Sequence, residues 1–130
     1  MKLADFGLAI ELYQGREKRR SVLGTPFWMS PEIINGKEYD DRVDIWAMGV
    51  TTIEMMNKQP PYSGYPKTKA LFLITSQGIP LTHLNSMPQW SNALKDWLAK
   101  CLTFDHIQRP NIWKMADHPL LTRPARSNSL

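Results

Sequence analysis

The chain is poor in cysteine and has no long apolar run, and these two features exclude several classes of protein. Cys101 is the single cysteine among 130 residues, so no disulfide can form within the chain. A disulfide-stabilised secreted scaffold is therefore excluded. No stretch approaches the roughly 18 apolar residues of a membrane helix, and the start over 1–5 is too polar for a signal peptide. We expect a soluble, cytoplasmic protein in which Cys101 is a buried thiol.

The glycines are also too widely spaced to form a glycine-rich loop. The seven glycines lie no closer than eight positions apart along the chain. The Gly-x-Gly-x-x-Gly pattern, which covers nucleotide phosphates in several enzyme classes, needs spacings of two and three. The sequence therefore contains no loop of this kind.

Charge and composition indicate one globular domain. The 16 basic and 12 acidic residues leave a net charge of +4, and 42% of the residues are hydrophobic. A small basic excess usually reflects a solvated surface. No basic stripe alternates with aromatic residues, so we expect no nucleic-acid partner. The oligomeric state is left open.

Hydrophobic periodicity predicts a mainly α fold with an irregular N-terminal third. Residues 2–4 resemble the end of a short strand. Asp40, Ser91 and Asn111 are predicted N-caps, and Gly36 and Gly78 are predicted helix stops. The predicted helices cover 31–34, 41–57, 67–77, 92–102 and 112–118. The second has apolar residues in nearly every direction, which is typical of a helix buried inside its domain.

Four motifs in a fixed order then indicate a family. They are Asp5-Phe6-Gly7, the segment 24–32 that reads Gly-Thr-Pro-Phe-Trp-Met-Ser-Pro-Glu, the segment 44–49 that reads Asp-Ile-Trp-Ala-Met-Gly, and Arg109. In order and spacing the set resembles a protein kinase. Further similarity over 60–62 and 70–75 points to the STE20-like serine/threonine kinases, near the p21-activated kinases.

The resemblance implies a partial protein kinase domain over 1–121 and a short flexible tail over 122–130. Within the domain it implies an activation segment over 5–32 and a helical C-lobe over 33–121. We expect the chain to be the C-terminal part of a longer kinase. A genuine short product that acts by binding alone is the alternative.

The resemblance also implies a cofactor site at the first motif. Asp5 would chelate the Mg²⁺ that bridges the phosphates of ATP, since a hard cation prefers oxygen ligands. Gly7 would let the backbone turn steeply, so that Phe6 packs inward while Asp5 faces the metal. The alternative for Asp5 is an ordinary aspartate in a turn.

Three activation-segment residues would bind the protein substrate, and a fourth would accept a regulatory phosphate. Thr25 resembles the threonine that favours serine or threonine acceptors, and Phe27 and Trp28 would shape the pocket beside the acceptor. Core packing is the alternative role of Trp28. Ser21 stands where this group carries its activating phosphate, although a serine after two arginines is often simply solvated.

The remaining implied roles are structural. Glu32 and Arg109 would form an internal ion pair, which is costly to break. Asp44 would lie buried at the start of the helix that contains Trp46. Its usual donors belong to a catalytic loop that the sequence lacks, so its pKa is expected to shift.

The catalytic residues of the family have no counterparts here. His83, His106 and His118 are followed by Leu, Ile and Pro, so no His-Arg-Asp sequence occurs. The resemblance implies Mg²⁺ and ATP as cofactors of the complete kinase, and protein substrates and regulators as partners. We expect the chain alone to have no catalytic base, to bind ATP poorly and to transfer no phosphate.

Overall fold

The computed structural model describes residues 1–12, 24–82 and 88–123, and the described chain is helical. A 3₁₀ turn at Pro26–Trp28 precedes the first helix. The α-helices with defined bounds are α1 (Pro31–Ile34), α2 (Arg42–Asn57), α3 (Lys67–Gln77), α4 (Asn92–Cys101), α5 (Ile112–Ala116) and α6 (Pro119–Thr122). These ranges contain no β-strand, so the predicted strand over 2–4 is wrong. None of their helices has the length and apolarity to cross a membrane.

Local capping chemistry explains three of these helix ends. The Ser91 hydroxyl accepts the Leu94 N–H at 3.1 Å and begins α4. The Asn111 side chain begins α5 in the same way. Gly78 ends α3 at φ 68°, where its N–H donates to the Ile74 carbonyl. These caps were predicted, and the structure confirms them.

Three predicted helix bounds differ from the structure. Helix α4 ends at Cys101, one residue before the predicted end. Helix α2 begins at Arg42 with Asp41 in the N-cap position, but the capping bond comes from Asp40 as predicted, since its carboxylate accepts the Arg42 N–H at 2.9 Å. The predicted helix over 112–118 ends at Ala116, because Pro119 lacks the N–H that would continue it. His118 then begins α6 by accepting the Leu120 N–H on Nδ1, which leaves Nε2 to donate to Asp96 at 2.8 Å.

The hydrophobic core lies between α2 and α4. Gly49 of α2 faces α4 so closely that a Cβ there would lie 2.8 Å from the Cβ of Cys101. Cys101 is fully buried, as predicted, and its burial raises the pKa of the thiol to about 12. The core side chains include Ile45, Trp46, Val50, Ile53, Ile74, Trp97, Leu98, Leu102 and Met115.

Burial of α2 is one-sided, which corrects the prediction that it is buried all round. Met48, Met55 and Met56 are exposed, with Met55 at 72%. Asp44, Met48 and Met55 share one face at helical spacing. In the described chain α2 packs against α4 and the 3₁₀ turn, and Gly49 on another face contacts α4.

One buried ion pair connects segments that are 77 positions apart in the sequence. Arg109 donates to both carboxylate oxygens of Glu32, at 2.6 and 3.1 Å. Both side chains are at most 2% exposed. Two further N–H groups of Arg109 donate to the carbonyls of Thr103 and Arg42, at 3.0 and 3.1 Å. The guanidinium also lies 5.1 Å from the ring centroid of Trp46, which is fully buried.

The paired charges therefore hold three parts of the chain together. Glu32 belongs to α1, Trp46 to α2, and Arg109 to the segment between α4 and α5. Bidentate pairing and two carbonyl contacts satisfy the buried guanidinium, so its desolvation is compensated. Since α1 directly follows the 3₁₀ turn, the same pair fixes the turn that carries Phe27 and Trp28.

Breaking this pair is expected to destabilise the fold strongly. Glu32→Gln should lower the free energy of unfolding by about 3 to 5 kcal/mol, because it leaves the Arg109 charge buried without its partner. Glu32→Leu and Arg109→Leu are also made singly and together. The double variant should lose less free energy of unfolding than the sum of the losses in these two single variants. Urea denaturation followed by circular dichroism measures both effects. Additive costs would contradict this coupling.

The close approach of α2 and α4 gives a second test. Gly49→Ala should lower the free energy of unfolding by about 1 to 3 kcal/mol, because the new methyl group overlaps Cys101 and Leu102. Gly64→Ala is the matched control, since a Cβ at Gly64 meets nothing within 4 Å. The control should stay within about 0.5 kcal/mol of the wild type. Equal losses of free energy of unfolding in the two variants would show that the helix contact at Gly49 does not restrict the size of the side chain there.

Candidate functional site

The first motif forms an exposed turn. The Ala9 N–H donates to the Phe6 carbonyl at 3.0 Å. Asp5 has φ 63°, in the left-handed region that aspartate tolerates better than most residues. Its side chain is exposed.

The structure confirms one detail of this prediction and contradicts another. Gly7 and Leu8 are the central residues of the turn that the Phe6–Ala9 bond closes, so the backbone turns at Gly7 as predicted. The left-handed φ belongs to Asp5, and a Cβ at Gly7 would meet Asp5 Oδ1 at an ordinary 3.6 Å. The ring of Phe6 is 67% exposed, so it does not pack inward. The core lies between α2 and α4, and its members do not include residues of this turn.

Asp5 fits one ligand position of a magnesium site. In proteins Mg²⁺ keeps several waters and takes one or two carboxylates together with phosphate oxygens. An exposed carboxylate on a turn suits that role. The described residues contain no cluster of three His, Cys, Asp or Glu side chains that would hold a metal without such additional ligands.

The predicted substrate-binding residues occupy the 3₁₀ turn. The Thr25 carbonyl accepts the Trp28 N–H at 3.1 Å, and the Thr25 side chain is exposed. Phe27 and Trp28 are half-buried, with their rings edge to face and their centroids 6.2 Å apart. Pro26 at the first position suits the fixed φ of this turn.

Trp28 also packs against the core, which the sequence analysis gave as its alternative role. Its Nε1 donates to Glu54 of α2 at 3.2 Å. The tryptophan therefore anchors the turn to α2. Thr25 is exposed, whereas Phe27 and Trp28 are both half-buried.

A cavity of about 500 Å³ lies between the N-terminal segment, the 3₁₀ turn and the start of α2. Thr25 and Trp28 line it on one side, and Asp44 lines it on the other. The structure thus brings three of the predicted residues to one cavity. Asp5 and Phe27 do not line it.

Asp44 lies at this cavity and is not buried as predicted. Asp44 is exposed as a whole residue. The protein around its carboxyl still removes enough water to raise the pKa of that group, and the charge of Asp41 raises the pKa further. The expected pKa shift is thus present. Asp40 and Asp41 also line the cavity. The sequence reading gave these two aspartates only a helix-start role, because their approach to residues 8–12 depends on tertiary structure.

Two of the sequence predictions fall outside the described residues. Ser21, the predicted phosphosite, lies in the undescribed segment 13–23. Most of the predicted tail, residues 124–130, is also outside the described ranges.

Comparison with known proteins agrees with the motif order. Residues 1–121 match the family described as protein kinase domain. The serine/threonine-protein kinases pakB and pakA of Dictyostelium discoideum are 45% and 46% identical over 130 and 123 residues. The serine/threonine-protein kinase CLA4 of Candida albicans is 39% identical over 121 residues.

These matches take in most of this chain and a small part of each relative. They cover 100%, 95% and 93% of the chain, in the same order. The chain spans only 15%, 10% and 12% of the lengths of pakB, pakA and CLA4. The family match extends over more than nine-tenths of the chain, from the Asp5 turn to α6. The chain therefore belongs to the protein kinase domain family, among its serine/threonine kinases.

Proposed function

We propose that these 130 residues supply the metal-binding turn and the acceptor-binding surface of a STE20-like serine/threonine kinase. In the complete kinase they would act with Mg²⁺ and ATP on serine or threonine residues of proteins. The buried Glu32–Arg109 pair is the observation that carries the proposal. It joins α1, and with it the turn at 26–28, to the helical core.

Asp5 is the proposed magnesium ligand. When bound, the ion neutralises charge on the transferring phosphoryl group. The exposed carboxylate of Asp5 supplies one oxygen ligand, and Phe6 and Gly7 complete the turn that presents it. The family match supports this assignment, because it includes the turn.

Thr25, Phe27 and Trp28 are the proposed acceptor-binding residues. Trp28 is anchored through its core contact and Glu54, so the turn is preorganised. Thr25 then presents an exposed hydroxyl at the rim of the cavity. Ser21 is the proposed regulatory phosphate acceptor, which mass spectrometry of the active enzyme described next would test.

A chimera tests the roles of Asp5 and the turn. Residues 1–121 replace the matching segment of the Dictyostelium discoideum relative with 45% identity. We expect the chimera to phosphorylate a protein substrate. Asp5→Asn should lower kcat by about 100-fold or more, since the metal contributes several kcal/mol of charge stabilisation. Thr25→Ala should lower kcat/KM for the protein acceptor more than it changes the KM for ATP.

Asp117→Asn is the matched control for this experiment, because Asp117 is exposed just after α5. It should leave kcat within about twofold, as surface substitutions usually do. A folded chimera that keeps full activity with Asp5→Asn would rule out the magnesium role.

The 130 residues alone are proposed to be inactive. Their sequence contains neither a glycine-rich loop nor a His-Arg-Asp segment, so a catalytic base of the family type is missing. We expect calorimetric titration with Mg-ATP to show no saturable binding. Transfer of labelled phosphate from ATP to a protein substrate by the 130-residue chain should be no greater than the transfer by its Asp5→Asn variant. Transfer by the purified chain that disappears with Asp5→Asn would contradict this proposal.

A further inference from the structure

The cavity lined by Thr25, Trp28 and Asp44 is called the Asp44 cavity below. A second cavity, of about 760 Å³, is separate from it. Loop 58–65, helix α3 and the segment 79–81 form its walls, and we call it the α3 groove. Its volume is within the roughly 300–1,000 Å³ of ligand sites. Its lining residues include none that line the Asp44 cavity. Helix α3 also packs against the 3₁₀ turn, which is part of the surface proposed above to bind the acceptor.

Loop 58–65 holds an unusual backbone conformation. Tyr62 has a φ of 64°, in the left-handed region that side chains disfavour. Lys58 also has a positive φ, but it is the C-cap of α2, where a left-handed residue commonly ends a helix. Strained residues persist where their surroundings determine the conformation, and they are concentrated at binding sites. The strain at Tyr62 is therefore a second indication that this loop is functional.

Hydrogen bonds hold the strained wall in place. The Tyr62 hydroxyl donates to the Gly78 carbonyl at 2.7 Å and accepts from the Gln77 amide at 3.1 Å. The Tyr62 carbonyl accepts the Tyr65 N–H at 3.0 Å. These contacts connect the loop to the end of α3. A wall fixed in advance lowers the entropy cost of binding.

The groove is positively charged at one point. Among its described lining residues, Lys69 is the single charged side chain. Its ammonium lies 4.5 Å from the ring centroid of Tyr65. The sequence over 55–95 contains four lysines and no aspartate or glutamate. A carboxylate at Lys69 would therefore meet no competing acidic side chain from this stretch.

The remaining walls suit an apolar side chain beside that charge. Leu73 and Leu81 are half-buried lining residues, and Ile79 is buried behind them. Asn57 and Gln59 add amide groups that can bond to a peptide backbone. An extended peptide offers this combination of carboxylate, apolar side chain and backbone amides.

We propose that the α3 groove docks an extended acidic peptide segment of a partner protein. An aspartate or glutamate of the segment pairs with Lys69, and a neighbouring aliphatic side chain packs between Tyr62, Leu73 and Leu81. Binding at the groove requires neither Asp5 nor ATP. It can therefore succeed or fail independently of phosphate transfer.

Fluorescence anisotropy with two labelled peptides tests the proposal. One peptide carries glutamates around a leucine, and the other carries lysines in their place. The acidic peptide should bind, and Lys69→Glu should raise its Kd about five- to tenfold through lost pairing and new repulsion. Lys67→Glu is the matched control, because Lys67 is exposed on α3 outside the groove. It should change Kd less than about twofold.

A second pair of variants tests the apolar contact. Leu73→Ala should raise Kd about tenfold, since it removes apolar area that the peptide would bury. Phe72→Ala is its control, because Phe72 is 67% exposed outside the groove. Circular dichroism establishes that each variant keeps its helix content. The titrations are run on both the 130-residue chain and the chimera.

Three results would overturn the proposal. One is equal affinity for the acidic and the basic peptide, and another is equal loss with Lys67→Glu and Lys69→Glu. The third is no saturable binding by folded protein at up to about 1 mM peptide, a concentration that detects even weak peptide binding. Peptide binding by a chain that transfers no phosphate would support the groove while leaving the kinase proposal to its own test.

Discussion

The Glu32–Arg109 ion pair is the contact on which the arrangement of the site depends. It brings residues 77 positions apart in sequence together in the interior. The carbonyls of Thr103 and Arg42 accept two further guanidinium hydrogens, and the Trp46 ring lies 5.1 Å from the guanidinium. A buried charge is tolerated only with such compensation. The position of the 3₁₀ turn, and hence of Thr25, follows from this network through α1.

Helix α2 contributes side chains both to the Asp44 cavity and to the hydrophobic core. Ile45, Val50 and Ile53 face the core, while Asp44 lies at the cavity and Met55 is exposed. Partial burial beside Asp41 raises the pKa of Asp44, because the ionised form loses water and meets a like charge. The α3 groove has the opposite character, with Lys69 as its charge. The chain thus presents an acidic cavity and a basic groove on different surfaces.

Sequence reasoning was most successful where a local rule applies. Ser91 and Asn111 cap their helices, and Gly78 ends α3, because each depends on hydrogen bonds within a few residues. It was wrong where long-range packing decides. Phe6 does not pack inward, and α2 is not buried all round, because burial depends on which elements lie nearby. His118 was read as the end of a helix, whereas its ring caps α6 and contacts Asp96.

The order of residues along the chain was enough to indicate the family, most helix positions and the candidate magnesium ligand, since motifs and capping rules are local. The short helix α6 at Pro119–Thr122 was not predicted. Folding in three dimensions decided that Thr25, Trp28 and Asp44 share a cavity, and that Tyr62 and Lys69 line a groove. Neither juxtaposition follows from spacing. Each arises where separate elements approach. The buried Arg109–Glu32 pair joins α1, and with it the 3₁₀ turn, to the core, and the Tyr62 hydroxyl connects the loop to the end of α3.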